Sequence, residues 1–317
     1  MIGAKMMSKA IFRVSHPIMT RRSMEKNHAI IGRIMEDERF DDIDEANQFL
    51  QKILVGGKVP DLLPRTPAEE AQYLVYDAWG EPSQKKRIRM ARRALEISKD
   101  CADAYVLLAE ETADSLQEEK ALYEAGVLAG ENALGARTFQ EKAGHFWSAL
   151  ETRPYMRARA GLAGCLWYLG RREAAISHYF DMIRLNPDDN QGLRYPLLNH
   201  LLEEGRDREA RELLDRYPED PSAHWRFSKA LLKFKREGSN SKTDSRLRKA
   251  LVYNRFVPPY LLGLRKLPKK LPEGVGFGDE AEAMEYVGAA LRIWHQTDGA
   301  IEWLAAVTRE TAFPDEA

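Results

Sequence analysis

The chain has 317 residues, 44% hydrophobic and 31% charged, with a formal net charge of −1. That length admits two domains or one long array. The near-neutral charge excludes a global field that would draw nucleic acid or a membrane surface, and two cysteines are too few for a disulfide framework or a four-cysteine zinc site.

Residues 1–22 carry Lys5, Lys9, Arg13, Arg21 and Arg22 and no acid. They read as a basic, disordered arm. Acid-poor starts of this kind also serve as transit peptides, and Met7 is an alternative start. No apolar run here or later approaches the ~20 residues that span a bilayer. From 23 to 66 the expected structure is a helical cap. Ile30, Ile31, Ile34 and Met35 repeat at helical spacing, and Ala46, Phe49, Leu50 and Ile53 share a second face. VGGKVPDLLPRTP (55–67) then breaks the pattern with two glycines and three prolines.

Residues 67–310 are expected to form a helical repeat array, followed by a tail at 311–317. The first helix pair covers 67–100, with Gly80, Pro82 and Ser83 at its turn. The strongest unit is 156–189. It places Leu162, Ala163 and Leu166 before a turn at Gly170, then Ala175, Ile176, Tyr179 and Met182, then Pro187. These offsets match the 34-residue tetratricopeptide pattern. Weaker copies are expected at 102–135, 191–221 and 222–258, the last with a turn stretched by REGSNSKTDS (236–245). The segment 136–154 does not fit the period and is expected to lengthen a helix or a connection. Each unit leaves an apolar face that only stacking buries. The fold class is therefore all-α, a tetratricopeptide-like right-handed solenoid of stacked helix pairs.

ALEISKDCADAYVLLAEE (94–111) and RARAGLAGCLWYLGRREAAISHYFDMIRLNP (157–187) together resemble the suppression-of-tumorigenicity-7 family and its soluble bacterial relatives, over about residues 90–220. The resemblance implies a tetratricopeptide-type helical fold and a bacterial cytosolic setting. It supplies no catalytic residues to carry over. The animal members are described as having transmembrane segments, which this chain departs from.

LNPDDNQGLRY (185–195) crowds acids and amides behind a proline, as a metal loop would. Counted from Asp188, however, a calcium loop would need an oxygen ligand at Gly192, glycine at Leu193 and glutamate at Asn199. It reads instead as a joint, with Asp188, Asp189 and Asn190 capping the next helix. The seven histidines form no HExxH and flank no cysteine, so no metal is expected. Cys101 and Cys165 read as buried, inert thiols. No GxSxG elbow and no phosphate loop is present, so the chain is expected to be no enzyme and to need no cofactor.

The partner expected is a protein or peptide held in the concave groove that first helices line in such arrays. Groove positions are Arg157, Trp167 and Tyr168 in the strongest unit, Tyr195 and Asn199 in the next, and Arg226 and Lys233 in the one after. Aromatic and arginine side chains are favoured anchors. Ala160 and Gly164 replace the lysine and asparagine with which chaperone-binding relatives clamp a terminal carboxylate, which disfavours that partner class. The alternative partner is RNA or DNA, bound by basic helix faces at 84–93 (Lys85, Arg89, Arg92, Arg93) and 226–249. No membrane partner is expected.

Overall fold

A computed structural model describes residues 18–38, 40, 42–55, 62–272 and 274–311. All regular structure among them is helical, without a strand, and they fall into two compact units that divide between Gln191 and Gly192.

The first unit holds α1 (Ile18–Asp37), α2 (Ile43–Val55), α3 (Pro67–Gly80), α4 (Gln84–Ile97), α5 (Ala102–Thr112), α6 (Leu116–Glu141), α7 (Arg153–Tyr168) and α8 (Arg172–Leu185). Local chemistry sets several starts. Thr66 and Ser83 accept backbone N–H bonds from Glu69 and Lys86, and Ser115 does the same for Glu118, satisfying donors that a helix leaves free. Pro67 occupies the first turn of α3, where its missing N–H costs nothing.

Sequence neighbours from α3 to α8 pack on one another, and α1 packs on α3, α3 on α5 and α5 on α7. Fully buried alanines, Ala71, Ala91, Ala94, Ala104, Ala158, Ala163 and Ala175, let the helices approach. Met156, Ile176, Tyr179 and Met182 fill the space between them, each worth about 1.5–3 kcal/mol of apolar burial at most.

The second unit holds α9 (Arg194–Glu203), α10 (Asp207–Arg216), α11 (Ala223–Glu237), α12 (Ser241–Tyr253), α13 (Val257–Leu261), α14 (Glu280–Gln296) and α15 (Ala300–Glu310). α9 packs on α10, α10 on α11, α11 on α12, α13 on α14 and α14 on α15, while α14 also lies against both α9 and α11, and α15 against α12. Trp225, Phe227, Tyr286 and Trp294 are fully buried there.

Three local expectations need correction. The first helix begins at Ile18, inside the segment assigned to the arm; residues 1–17 and 56–61 lie outside the described part. The stretched turn at 236–245 is only three residues long. Gly238 ends α11 at φ +67°, and Asn240 and Thr243 close a reciprocal capping box, so the polar residues from Ser241 onward are helical. At 185–195, Asp188, Asp189 and Asn190 do not cap α9. Its N-cap is Leu193, without a side-chain bond, while Asn190 accepts from Asn186, which itself accepts from the Trp147 N–H.

The irregular segment 136–154 both lengthens a helix and adds a connection. α6 continues to Glu141, broken at Gly135 (φ 66°, ψ 162°), and a short 3-10 turn at Leu150–Thr152 leads into α7. Phe139, Phe146 and Tyr155 cluster there with centroids 5.1–6.2 Å apart.

Candidate functional site

The second unit carries a cleft of about 650 Å3 lined largely by α11, α12 and the loop before α11. Arg226, Lys229 and Lys233 are spaced three and four apart on α11. Lys242, Arg246 and Lys249 are spaced four and three apart on α12. Either spacing puts three side chains on one side of a helix, and all six line the cleft. The short link through Gly238 and Asn240 sets α12 against α11, so two cationic rows share one space.

The cations are held to different degrees. Arg226 donates to the Pro221 carbonyl at 2.9 Å and lies 4.3 Å from the Tyr253 ring centroid. Lys233 pairs with Glu237 at 3.3 Å. Among the described residues, the side chains of Lys229, Lys242, Arg246 and Lys249 have no hydrogen bond or ion pair. Burial, then the guanidinium of Arg246, lowers the Lys229 pKa, against the opposing pull of Asp215 and Asp220.

Two carboxylates, Glu219 and Asp220, also line the cleft. Asp220 is engaged elsewhere: it accepts from Arg194 at 2.7 Å, from the Tyr195 hydroxyl at 2.9 Å and from the Ser222 N–H. Burial alone would raise its pKa; the Ser222 and Arg194 bonds reverse that and lower it. Beneath the cleft, Trp225 is fully buried, and its indole N–H has no acceptor among the described residues.

The expected groove residues therefore separate. Arg226 and Lys233 meet in the cleft. Tyr195 is half-buried against Trp225, its hydroxyl spent on Asp220. Asn199 is buried, and its side-chain oxygen has no hydrogen-bond partner among the described residues. In the first unit Trp167 is 8% exposed, with the Arg172 guanidinium 4.9 Å from its ring, and Tyr168 is half-buried. Arg157 is no groove residue. It is 7% exposed and bonded to Asp103 and Glu25. Buried Arg157 is corrected from partner anchor to internal counter-ion, because two buried carboxylates claim its donors.

The basic face expected on α4 exists. Lys85, Arg89, Arg92 and Arg93 are exposed. Arg93 pairs with Glu96 at 2.8 Å, and the other three have no ion pair among the described residues.

The basic face expected at 226–249 spans both rows, but Lys242, Arg246 and Lys249 do not stand out in it as a row of their own, because 236–245, which includes Lys242, reads as a turn. The signal was present in their four-and-three spacing. Conversely, Lys235 and Arg236 leave the cleft to Asp207 and Glu237.

No three His, Cys, Asp or Glu side chains among the described residues converge as metal ligands. His178 accepts from Arg159 at 3.0 Å, and His224 is buried between Tyr195 and Tyr286. Cys101 and Cys165 are free and buried, and burial pushes each thiol up to about 12. No described helix is long and apolar enough to cross a membrane.

The model of a family described as ST7 protein matches residues 65–315. Protein ST7 homolog of Caenorhabditis elegans is 28% identical over 275 residues, which covers 74% of this chain and 50% of the relative. Suppressor of tumorigenicity 7 protein-like of Homo sapiens is 29% identical over 249 residues, 72% of this chain and 43% of the relative. Protein ST7 homolog of Drosophila melanogaster is 28% identical over 262 residues, 74% and 48%. The chain thus spans about half the length of the curated relatives it matches.

Proposed function

The chain belongs to the ST7 protein family, and from that premise and the basic cleft we infer that it is a non-catalytic scaffold that binds an acidic protein or peptide segment. One observation carries the reading: two rows of cations face a single cleft with most of their charge unanswered. Charge complementarity there would steer and orient an acidic partner. The scaffold is a tetratricopeptide-like stack of helix pairs in this proposal. Its support is the packing of α1 on α3, α3 on α5 and α5 on α7 beside the sequential pairs. A cytosolic setting is part of the same reading, supported by two free thiols.

The test is fluorescence anisotropy of a labelled Glu/Asp-rich peptide titrated with the full chain. Saturable binding is expected, weakened roughly tenfold or more by Arg226→Glu with Arg246→Glu. Absence of binding at low salt, or binding indifferent to these changes, overturns the reading.

A second reading, RNA or DNA binding, is favoured by Lys85, Arg89 and Arg92 on α4, which are exposed and unpaired among the described residues. It requires salt-dependent retardation of a nucleic acid that Arg89→Glu with Arg92→Glu abolishes. A chain that retards neither RNA nor DNA at low salt removes it.

A further inference from the structure

We propose that the cleft between α11 and α12 is a phosphate-recognition site whose occupant is a peptide segment carrying two phosphorylated side chains. The inference rests on the acidic-segment reading above and names the chemistry of that segment.

Charge density favours phosphate over carboxylate. Six cations against Glu219 and Asp220 leave the cleft lining with a formal excess of four positive charges. Each row covers seven to eight residues of helix, about 10 Å at 1.5 Å per residue. An extended peptide places only about three residues in that length. Three aspartates or glutamates there would bring three negative charges. Two phosphorylated side chains bring about 1.5 to 2 each at neutral pH, so two residues carry as much charge as three carboxylates or more, and approach the excess without crowding. A phosphodiester strand carries a single charge per phosphate and cannot reach the same density.

The donors also suit phosphate. Arg226 and Arg246 offer planar forks, and Lys229, Lys242 and Lys249 offer compact ammonium groups with no partner to displace. Phosphate has three terminal oxygens to accept from both walls, where a carboxylate has two. Ser241 and Ser245 add hydroxyl donors on the α12 wall. Successive residues of an extended chain point to opposite sides. Two phosphoresidues at adjacent positions would therefore address the two rows separately, and two at alternate positions a single row.

The experiment uses the full chain and short Gly/Ala/Ser peptides of one sequence, carrying two phosphoserines, two glutamates or two serines. Anisotropy should show the phosphorylated peptide bound at least roughly tenfold more tightly than the glutamate peptide. Lys229→Gln with Arg246→Gln should remove that difference. Lys99→Gln with Arg137→Gln, exposed on the other unit, should leave it unchanged. Circular dichroism of each variant reports folding. Because Lys242→Gln and Lys249→Gln alter exposed side chains only, they give a second pair should the first misfold.

Equal binding of phosphorylated and glutamate peptides overturns the phosphate inference and leaves the acidic-segment reading standing. No binding of any acidic peptide overturns both. Inorganic triphosphate is the competing arm. If it binds more tightly than the phosphopeptide, the site serves a free polyphosphate and the peptide assignment falls. A single-stranded RNA that outcompetes the phosphopeptide at the same site replaces the proposal with nucleic acid.

Discussion

Arg157 on α7 and Asp103 on α5 form a two-point ion pair inside the first unit, with Nε donating to Oδ1 at 2.8 Å and a second bond from the neighbouring guanidinium nitrogen. The same guanidinium donates to both oxygens of Glu25 on α1, at 3.0 and 3.1 Å, and lies 5.1 Å from the Trp79 ring centroid on α3. Arg153 supplies a second cation to Glu25, and Gln72 donates to Asp103. Four helices are thus joined through one buried cluster. Burial alone would lower the Arg157 pKa, but Asp103 and Glu25 more than offset it and hold it above the usual arginine value.

Removing Arg157 leaves two carboxylates in a site with little water. Arg157→Met is expected to cost about 3–5 kcal/mol, the usual penalty for an orphaned buried partner. Arg157→Lys should fall between, since an ammonium keeps the charge and loses the fork. Equilibrium urea unfolding of the full chain measures both. A cost under about 1 kcal/mol for the methionine variant would mean that water reaches the cluster.

Arg157 also marks the limit of what the residues revealed by themselves. Spacing placed it on the first helix of its unit and made the chain all-helical, because 3.6-residue periodicity is a local property. The turn at Gly170 was legible for the same reason, since a positive φ favours glycine. Which way Arg157 points depends on Asp103 and Glu25, 54 and 132 residues away, and no local pattern encodes that. The cleft was half-legible. The basic face expected at 226–249 covered both rows, but the α12 row was not set apart from the α11 row, because residues 239–241 have turn-like composition where Asn240 and Thr243 form a capping box.

His224 predicts an acid-labile second unit. Burial lowers its pKa to about 4, with Asp220 opposing. The unfolded chain carries an ordinary histidine near 6.5. Between those values the unfolded state binds more protons, so stability rises with pH across that window. On acidification from pH 7, on the order of 3 kcal/mol should be lost by pH 4 from this group. His224→Gln should flatten that part of the curve. Urea midpoints at pH 7 and pH 4.5 check it, and an unchanged slope in the variant would rule His224 out as the source.

Two helical glycines should respond oppositely to alanine. Gly32, in α1, has nothing within 4 Å of an added Cβ. Gly32→Ala should stabilise by about 0.5–1 kcal/mol, the propensity difference. At Gly161, in α7, an added Cβ would lie 2.2 Å from Cε1 of Tyr123, which is itself 6% exposed. Overpacking of that kind costs about 1–3 kcal/mol and should exceed the propensity gain. Thermal melts of the two variants should move in opposite directions. A rise for Gly161→Ala would show that the Tyr123 ring swings aside freely.

Cys101 and Cys165 provide a test that bears on catalysis as well as packing. A thiol reacts as its thiolate, and the two are pushed by burial from an ordinary value of 9.0 to about 12. At pH 8 that shift alone reduces the thiolate population by roughly a thousandfold. Occlusion adds to it, because the two residues are 3% and 4% exposed. A disulfide-exchange reagent should therefore label neither thiol in the folded chain on the timescale that labels both in urea. Slow labelling that accelerates with denaturant would report opening of α5 or α7. Immediate modification of one thiol in the folded chain would contradict this burial, and it would return that cysteine to consideration as a nucleophile.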